Sequence, residues 1–463
     1  MLTFSLNSKS DEPMYHQIYS YIKNEIMAGR LKYKEKLPSA RELAAYLSVS
    51  RNPVDTAYEQ LVAEGYVYSL PKRGYFVNRI TYTQQIKRAE EREVEEEKGT
   101  VPKWRYDFDP DAVDVEHFPY SVWKSIGRKV LDDHELFLAG DYRGDLQLRR
   151  AVADYLHGSR GVMCSSANVV IGAGIGYLLQ IISVIFQEDK RIAFEEPGYV
   201  RAKKILSSNG FDVVNIRMKG TCIDIEALKS TDVDLCYVTP SHQFPLGTVM
   251  SIAERQHLLQ WAHEKEGRFI IEDDHDSEYR YKGKPIPALQ SLDTEGKVIY
   301  IGTFSKSIGP ALRMGYMVLP DQLMNTFQRI CGGYNCPVSR FDQAIVAEFI
   351  NEGYFEKHLN RMRKKYKEKH DAVVNVLRKY EDQVRIRGDY AGLYVIVECN
   401  FRGDETKIEE EAKEHGIYLR PLSVYYEQVP EDYIPSFLIG FARPEMGELE
   451  RGLEILCSQI FGL

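Results

Sequence analysis

Val298-Ile299-Tyr300-Ile301-Gly302-Thr303-Phe304-Ser305-Lys306-Ser307 decides the fold. Val298 to Ile301 read as a short buried strand, which runs into a loop carrying one lysine among small hydroxyl side chains. A lysine at the end of a buried strand is costly without a partner or a task, because desolvation penalises the ammonium. Schiff-base formation with an aldehyde is such a task. The hydroxyls of Thr303 and Ser305, with Arg313 seven residues beyond Lys306, suit a phosphate beside that aldehyde. A phosphate and a lysine-bound aldehyde together describe pyridoxal 5'-phosphate. A single Ser-Lys-Ser in isolation reads better as a surface turn, so the surroundings carry the argument.

Working upstream, Phe269-Ile270-Ile271-Glu272-Asp273 is another apolar strand, and Asp273 closes it 33 residues before the lysine. A carboxylate there would hold a pyridine nitrogen protonated. The lysine loop with this aspartate resembles fold-type I aminotransferases. Further back, Val169-Val170-Ile171-Gly172-Ala173-Gly174-Ile175-Gly176 is a strand entering a helix through glycines, a junction whose bare N–H groups suit phosphate. Tyr199, after Ile192 to Glu196, could stack on a ring or simply pack at the surface. Cys236-Tyr237-Val238 leads into Thr239-Pro240-Ser241-His242-Gln243-Phe244. Downstream, Leu438-Ile439-Gly440-Phe441-Ala442-Arg443 sets an arginine after a strand, where it would clamp a carboxylate or make a structural salt bridge. From Trp104 onward strands alternate with helical stretches, the signature of an α/β sheet with ligands at its strand ends.

The chain has 463 residues, 44% of them hydrophobic and 28% charged, ordinary values for a globular protein large enough for several cores. No apolar run reaches the ~18 residues of a membrane span, and the N-terminus has no signal-peptide core. Seven scattered cysteines argue against a disulfide framework, and Cys331 with Cys336 lacks a second pair at zinc spacing, so no metal site is expected. A cytoplasmic location follows. Net charge is −8, yet residues 1–79 hold eleven Lys and Arg against eight Asp and Glu. A basic head on an acidic body points to an anionic partner for the head.

That head reads as helices and a hairpin. Met14, Ile18, Tyr21, Ile22 and Ile26 share one helical face after Pro13. Ser39 and Glu42 form a capping box for a short helix with Leu43, Ala44 and Leu47 inside. Ser48-Val49-Ser50 turns into a second helix, capped by Ser50, with Val54, Ala57 and Leu61 inward and Arg51, Asn52, Asp55, Thr56 and Glu59 outward. Tyr66 to Tyr68 and Gly74 to Val77 are strands joined through Pro71-Lys72-Arg73. The sum is a winged helix-turn-helix. Its second helix would meet base edges, and Lys72 and Arg73 would meet phosphate. Residues 80–103, with the acidic run Ala89 to Lys98, read as a solvated linker.

The head resembles GntR-type regulators, which carry a similar Pro-Ser-x-Arg-Glu-Leu-Ala and Val-Ser-Arg. By that resemblance Arg41, Ser50, Arg51, Asn52, Thr56, Tyr58, Lys72, Arg73 and Gly74 contact double-stranded operator DNA, with Asp55 a departure. Over nearly its whole length the chain resembles the MocR/GabR subfamily. This implies a winged helix-turn-helix at 1–79, a linker at 80–103 and, at 104–463, a fold-type I α/β transferase body with a small C-terminal α+β subdomain. It implies Lys306 as the lysine that binds the cofactor, with Asp273, Tyr199, Arg313, Thr303, Ser305, Ile175 and Gly176 around it. It also implies Arg443 and Arg201 as a carboxylate clamp, and a head-to-tail domain-swapped homodimer. His275 stands where relatives carry Tyr, and Phe244 where aminotransferases carry Asn. The expected function is a regulator sensing pyridoxal phosphate or an amine or amino-acid effector. A working aminotransferase, a sensor of the cofactor alone and a body that only dimerises are the alternatives.

Overall fold

The computed structural model describes residue 6 and residues 12–80, 104–186, 190–281, 286–400 and 404–462. The expected linker, Ile80 apart, lies outside the described residues, as does its acidic run. The chain divides into two compact units, Met1–Thr100 and Val101–Leu463.

The first unit holds helices Met14–Met27, Ala40–Leu47 and Arg51–Ala63 and strands Val67–Leu70 and Gly74–Val77, which pair antiparallel. Its core is Ile18, Tyr19, Ile22, Ile26, Leu43, Val54, Ala57, Tyr58 and Leu61 with Val67 and Val77. The first helix is rotated slightly from the expected face: Tyr19 is buried, while Met14 is 43% exposed. The capping box forms as read, with Glu42 N to Ser39 Oγ at 3.2 Å and Ser39 N to Glu42 Oε2 at 2.8 Å. Such a box satisfies two helix-end donors and is worth about 1 kcal/mol. Ser48 closes that helix in the left-handed region at φ 55°. Ser50 is the N-cap residue of the next helix, but its hydroxyl makes no capping hydrogen bond, so that expectation fails in detail.

The second unit is built on an eight-stranded sheet in the order Val169–Gly172, Gly315–Val318, Val298–Thr303, Phe269–Asp274, Leu235–Val238, Arg191–Glu196, Asp212–Lys219, Cys222–Ile223. From Val298–Thr303 to Asp212–Lys219 the pairing is parallel. Gly315–Val318 runs antiparallel to both its neighbours. The central strands are buried along their whole length, as expected where both faces of a sheet are covered. One apolar cluster gathers Leu178, Ile182, Phe194, Ile271 and Ile301, and another gathers Ala193, Cys236, Ile270 and Trp261. A second sheet, all antiparallel, orders Val384–Arg387, Tyr394–Cys399, Ser436–Gly440 and Arg420–Pro421, and forms the small C-terminal part. No helix among the described residues is long and apolar enough to cross a membrane.

Candidate cofactor site and nucleic-acid interface

Parallel register sets Ile301 beside Asp273. The lysine loop and the aspartate therefore leave the same edge of the sheet, at the strand ends where open α/β sheets hold ligands. A cavity of about 640 Å³ opens there, lined by Lys306, Asp273, His275, Tyr199, Arg313, Thr303, Ser305, Ile175 and Arg201, all singled out from the sequence. Asp111, Lys204, Phe244, Asp276 and Arg420 complete much of the wall.

Asp273 is buried. Its Oδ2 accepts from the Tyr237 hydroxyl, while its Oδ1 has no hydrogen-bond partner among the described residues. Burial pushes the carboxyl up to about 7; the Tyr237 bond offsets part of this, and Asp274 and Asp276 add repulsion. A carboxylate in this condition is made to receive a cationic N–H. Arg313, held at φ 50° in the left-handed region, has no ion-pair or hydrogen-bond partner among the described residues. Gly174 has φ +79°, and a Cβ there would lie 3.2 Å from the Arg313 guanidinium. The turn favours glycine here, and the guanidinium packs close to it, one residue before helix Ile175–Phe186. An arginine without a partner among the described residues, beside a helix N-terminus, could hold a phosphate. Gly176 lies deeper in that helix, beside Ile205, and is not part of the cavity wall.

Lys306 Nζ donates to the Pro110 carbonyl at 3.0 Å and faces Asp111 Oδ1 at 3.3 Å. Burial pulls His275 below the ordinary imidazole range, although Asp276 opposes this. Behind it, His242 Nδ1 lies 2.9 Å from both oxygens of Asp276. Burial alone would raise Asp276, but His242 and His275 outweigh it and hold the carboxyl near about 2. Donor atoms of His242, His275 and Asp276 lie within 4.8 Å of one another, a grouping that could hold a metal ion. The spacing along the chain did not announce this cluster. Phe244 meets Tyr199, His275, Tyr394 and Tyr425 edge-on, which makes this side of the cavity an aromatic wall.

Arg443 is not brought into this wall. Its side chain is 59% exposed and pairs with Asp107, the structural salt bridge that its sequence left open beside the carboxylate clamp. Arg420 lines the cavity instead, 3.4 Å from Asp109. No sequence signal marked it beyond a basic residue beside a short apolar stretch.

In the first unit Arg41, Ser50, Arg51, Asn52, Thr56, Lys72 and Arg73 are exposed, and Gly74 is half-buried at φ +104° in the wing. Tyr58 is a correction. It is fully buried, and its hydroxyl donates to the Pro38 carbonyl at 2.9 Å, so it serves the core and cannot reach DNA. Val54 and Leu61, four before and three after it, mark the inward face to which it belongs.

A cavity holding a lysine, an unsatisfied aspartate and a free arginine at the edge of this sheet defines a body of the fold-type I, pyridoxal-phosphate-dependent aminotransferase class. Kynurenine aminotransferase of Pyrococcus horikoshii has the same fold, with TM-score 0.69 at 23% identity over 77% of this chain and 90% of that one. The family description Aminotransferase class I and II matches residues 112–456, and Bacterial regulatory proteins, gntR family, matches residues 14–77. The regulator YdeL of Bacillus subtilis is 41% identical over 98% of both chains, and the probable rhizopine catabolism regulator MocR of Rhizobium meliloti 33% identical over 99% of this chain and 96% of its own. This chain belongs to the MocR/GabR subfamily of GntR-type transcriptional regulators. It is a DNA-binding regulator with an aminotransferase-like body, and the cofactor that its fold implies fits the residues present.

Proposed function

We propose that the body binds pyridoxal phosphate on Lys306, senses the cofactor or an amine or amino-acid ligand, and reports the event to operator DNA through the head. The observation that carries this reading is Asp273, a buried carboxylate oxygen without a partner in a cavity shared with Lys306 and Arg313. When bound, the cofactor supplies an aldehyde reactive towards primary amines. Lys306 would hold that aldehyde and Asp273 would keep the ring nitrogen protonated. Arg313, Thr303, Ser305 and the first amides of helix Ile175–Phe186 would hold the phosphate. Tyr199 would pack on the ring, and His275 would face its oxygen. Arg201, with Arg443 once released from Asp107, would take a ligand carboxylate. The relative PdxR of Corynebacterium glutamicum, 28% identical over 86% of each chain, is a pyridoxine biosynthesis regulator, which supports testing the cofactor itself as a signal.

A route outward is available in the segment Asp107 to Asp111. Three alternate aspartates there each meet a cation: Asp107 meets Arg443, Asp109 meets Arg420 at 3.4 Å, and Asp111 meets Lys306 at 3.3 Å. The chain presses this segment against Gly440, where a Cβ would lie 2.3 Å from the Asp109 carbonyl oxygen. A ligand that claims Lys306 or Arg443 removes a cation from the segment that follows residues 80–103. Such a difference in contacts between two states is what coupling to the head requires. A homodimer is the working form proposed here, with Leu131, Phe137 and Leu138 exposed on the body.

The test is spectroscopic. Purified protein soaked in pyridoxal phosphate should gain a visible chromophore that borohydride fixes to the peptide carrying Lys306, and an effector amine should shift it. Lys306→Ala should lose the label and the change in operator affinity on adding cofactor or amine. A colourless protein, or an unaltered response in the variant, overturns the reading.

A further inference from the structure

We infer that His242, His275 and Asp276 form a binding site for a divalent transition-metal ion of the zinc type, set in the wall of the body's cavity. His242 lies in the turn after strand Leu235–Val238, and His275 and Asp276 in the loop that leaves strand Phe269–Asp274. These strands are parallel neighbours, so their C-terminal ends deliver all three side chains to one place. Their donor atoms lie within 4.8 Å of one another. His242 Nδ1 is 2.9 Å from each oxygen of Asp276, and His275 Nε2 is 3.3 Å from Asp276 Oδ1. Ligands ~2.0 Å from a tetrahedral zinc ion stand about 3.3 Å apart. Both imidazoles therefore already approach the carboxylate at close to the edge length of such a site.

A hydrogen-bonded His242–Asp276 pair explains the first of these contacts and not the second. His275 Nε2 is screened from solvent and makes no hydrogen bond among the described residues. A ring nitrogen held beside a carboxylate oxygen without bonding to it is placed as a second ligand would be. Asp276 also lacks a full counter-charge: its side chain is 3% exposed, and among the described residues it makes no ion pair with a lysine or arginine. Buried carboxylates are paired or coordinate metals, and a neutral imidazole brings no charge. Gly392, at φ +82°, backs the group: a Cβ there would fall 2.2 Å from His242 Cε1 and 2.7 Å from Asp276 Oδ2. A side chain at that position would drive the histidine and the carboxylate apart. His275 and Asp276 line the cavity, which leaves a fourth coordination position to water or to a ligand entering there. Two imidazoles and one carboxylate suit zinc-type ions, whereas magnesium and calcium take oxygen ligands.

The test uses the untagged, cofactor-free full chain, stripped of metal by a chelator. It is titrated with Zn2+ by calorimetry and with Co2+ by absorbance. One tight equivalent per chain should bind, and Co2+ should show visible ligand-field bands without the near-ultraviolet absorption of thiolate ligation, which separates this site from the seven cysteines. Added Zn2+ should bleach those bands. His275→Ala and Asp276→Asn should each weaken binding roughly 100-fold or more, with thermal unfolding used to confirm that each variant folds. If Asp276→Asn does not fold, His275→Ala, at the cavity wall, decides the matter. The inference is overturned if the full chain takes up no ion, if the cobalt bands are those of thiolate ligands, or if His275→Ala binds as tightly as the parent chain. It does not depend on the cofactor reading, because uptake is measured without pyridoxal phosphate; a chain that binds the ion but stays colourless with the cofactor would remove that reading alone.

Discussion

Asp273 has surrendered its solvation without receiving a counter-charge, and its titration follows from that. The folded carboxyl keeps its proton up to about pH 7, whereas an unfolded aspartate releases it near ~4. Between those values the native state binds more protons, so stability is greatest at the acid end and falls as pH rises through about 7. Glu195 and Glu272, pushed up to about 7 mainly by burial, act in the same direction. Melting temperature of cofactor-free protein should therefore decline across this window, and Asp273→Asn should decline less steeply. Tyr58 makes a separate case. Tyr58→Phe removes the bond to the Pro38 carbonyl and should cost about 1 kcal/mol of head stability. Operator affinity measured well below the melting point should be unchanged, as befits a core residue; a specific loss of affinity would return Tyr58 to the interface.

At the scale of elements, the wing and the aspartate segment have different tasks. Lys72 sits exposed at the wing tip in the left-handed region, φ 62°. Lys72→Ala should weaken binding to all duplexes alike and reduce the slope of log affinity against log salt by about one. The segment Asp107 to Asp111 is held by three cations, two of which have proposed roles in ligand binding. Asp111→Asn leaves Lys306 with only the Pro110 carbonyl as a strong acceptor. That variant should take up pyridoxal phosphate faster, and its operator affinity should shift towards the ligand-bound value before any amine is added. Both follow from stopped-flow absorbance and a gel-shift titration. Elements were where sequence reading worked best: the capping box, the wing turn at Pro71 to Arg73 and the strands begun at Phe269 and Val298 all involve near neighbours, although those strands run on to Asp274 and Thr303. It failed where a helix's rotation depended on packing, as when Tyr19 and not Met14 turned inward.

Across the whole molecule, the head and body possess separate cores, and each unit carries its own set of contacts. Calorimetry should therefore resolve two unfolding transitions, of which pyridoxal phosphate raises only the larger, by mass action on the folded body. A single transition raised as one unit would mean that the two cores melt together. Order along the chain was enough to announce a winged DNA-binding head and a body of alternating strands and helices, because each is a pattern of residues a few positions apart. Folding alone decided the partnerships: Lys306 with Asp111 across 195 residues, and Arg443 with Asp107 across 336. Nothing local to Arg443 says whether it faces the cavity or an aspartate at the far end of the body. Charges pair with whatever the closed chain brings within a few ångströms, and that neighbourhood is a property of the packed sheet, not of the strand that bears them.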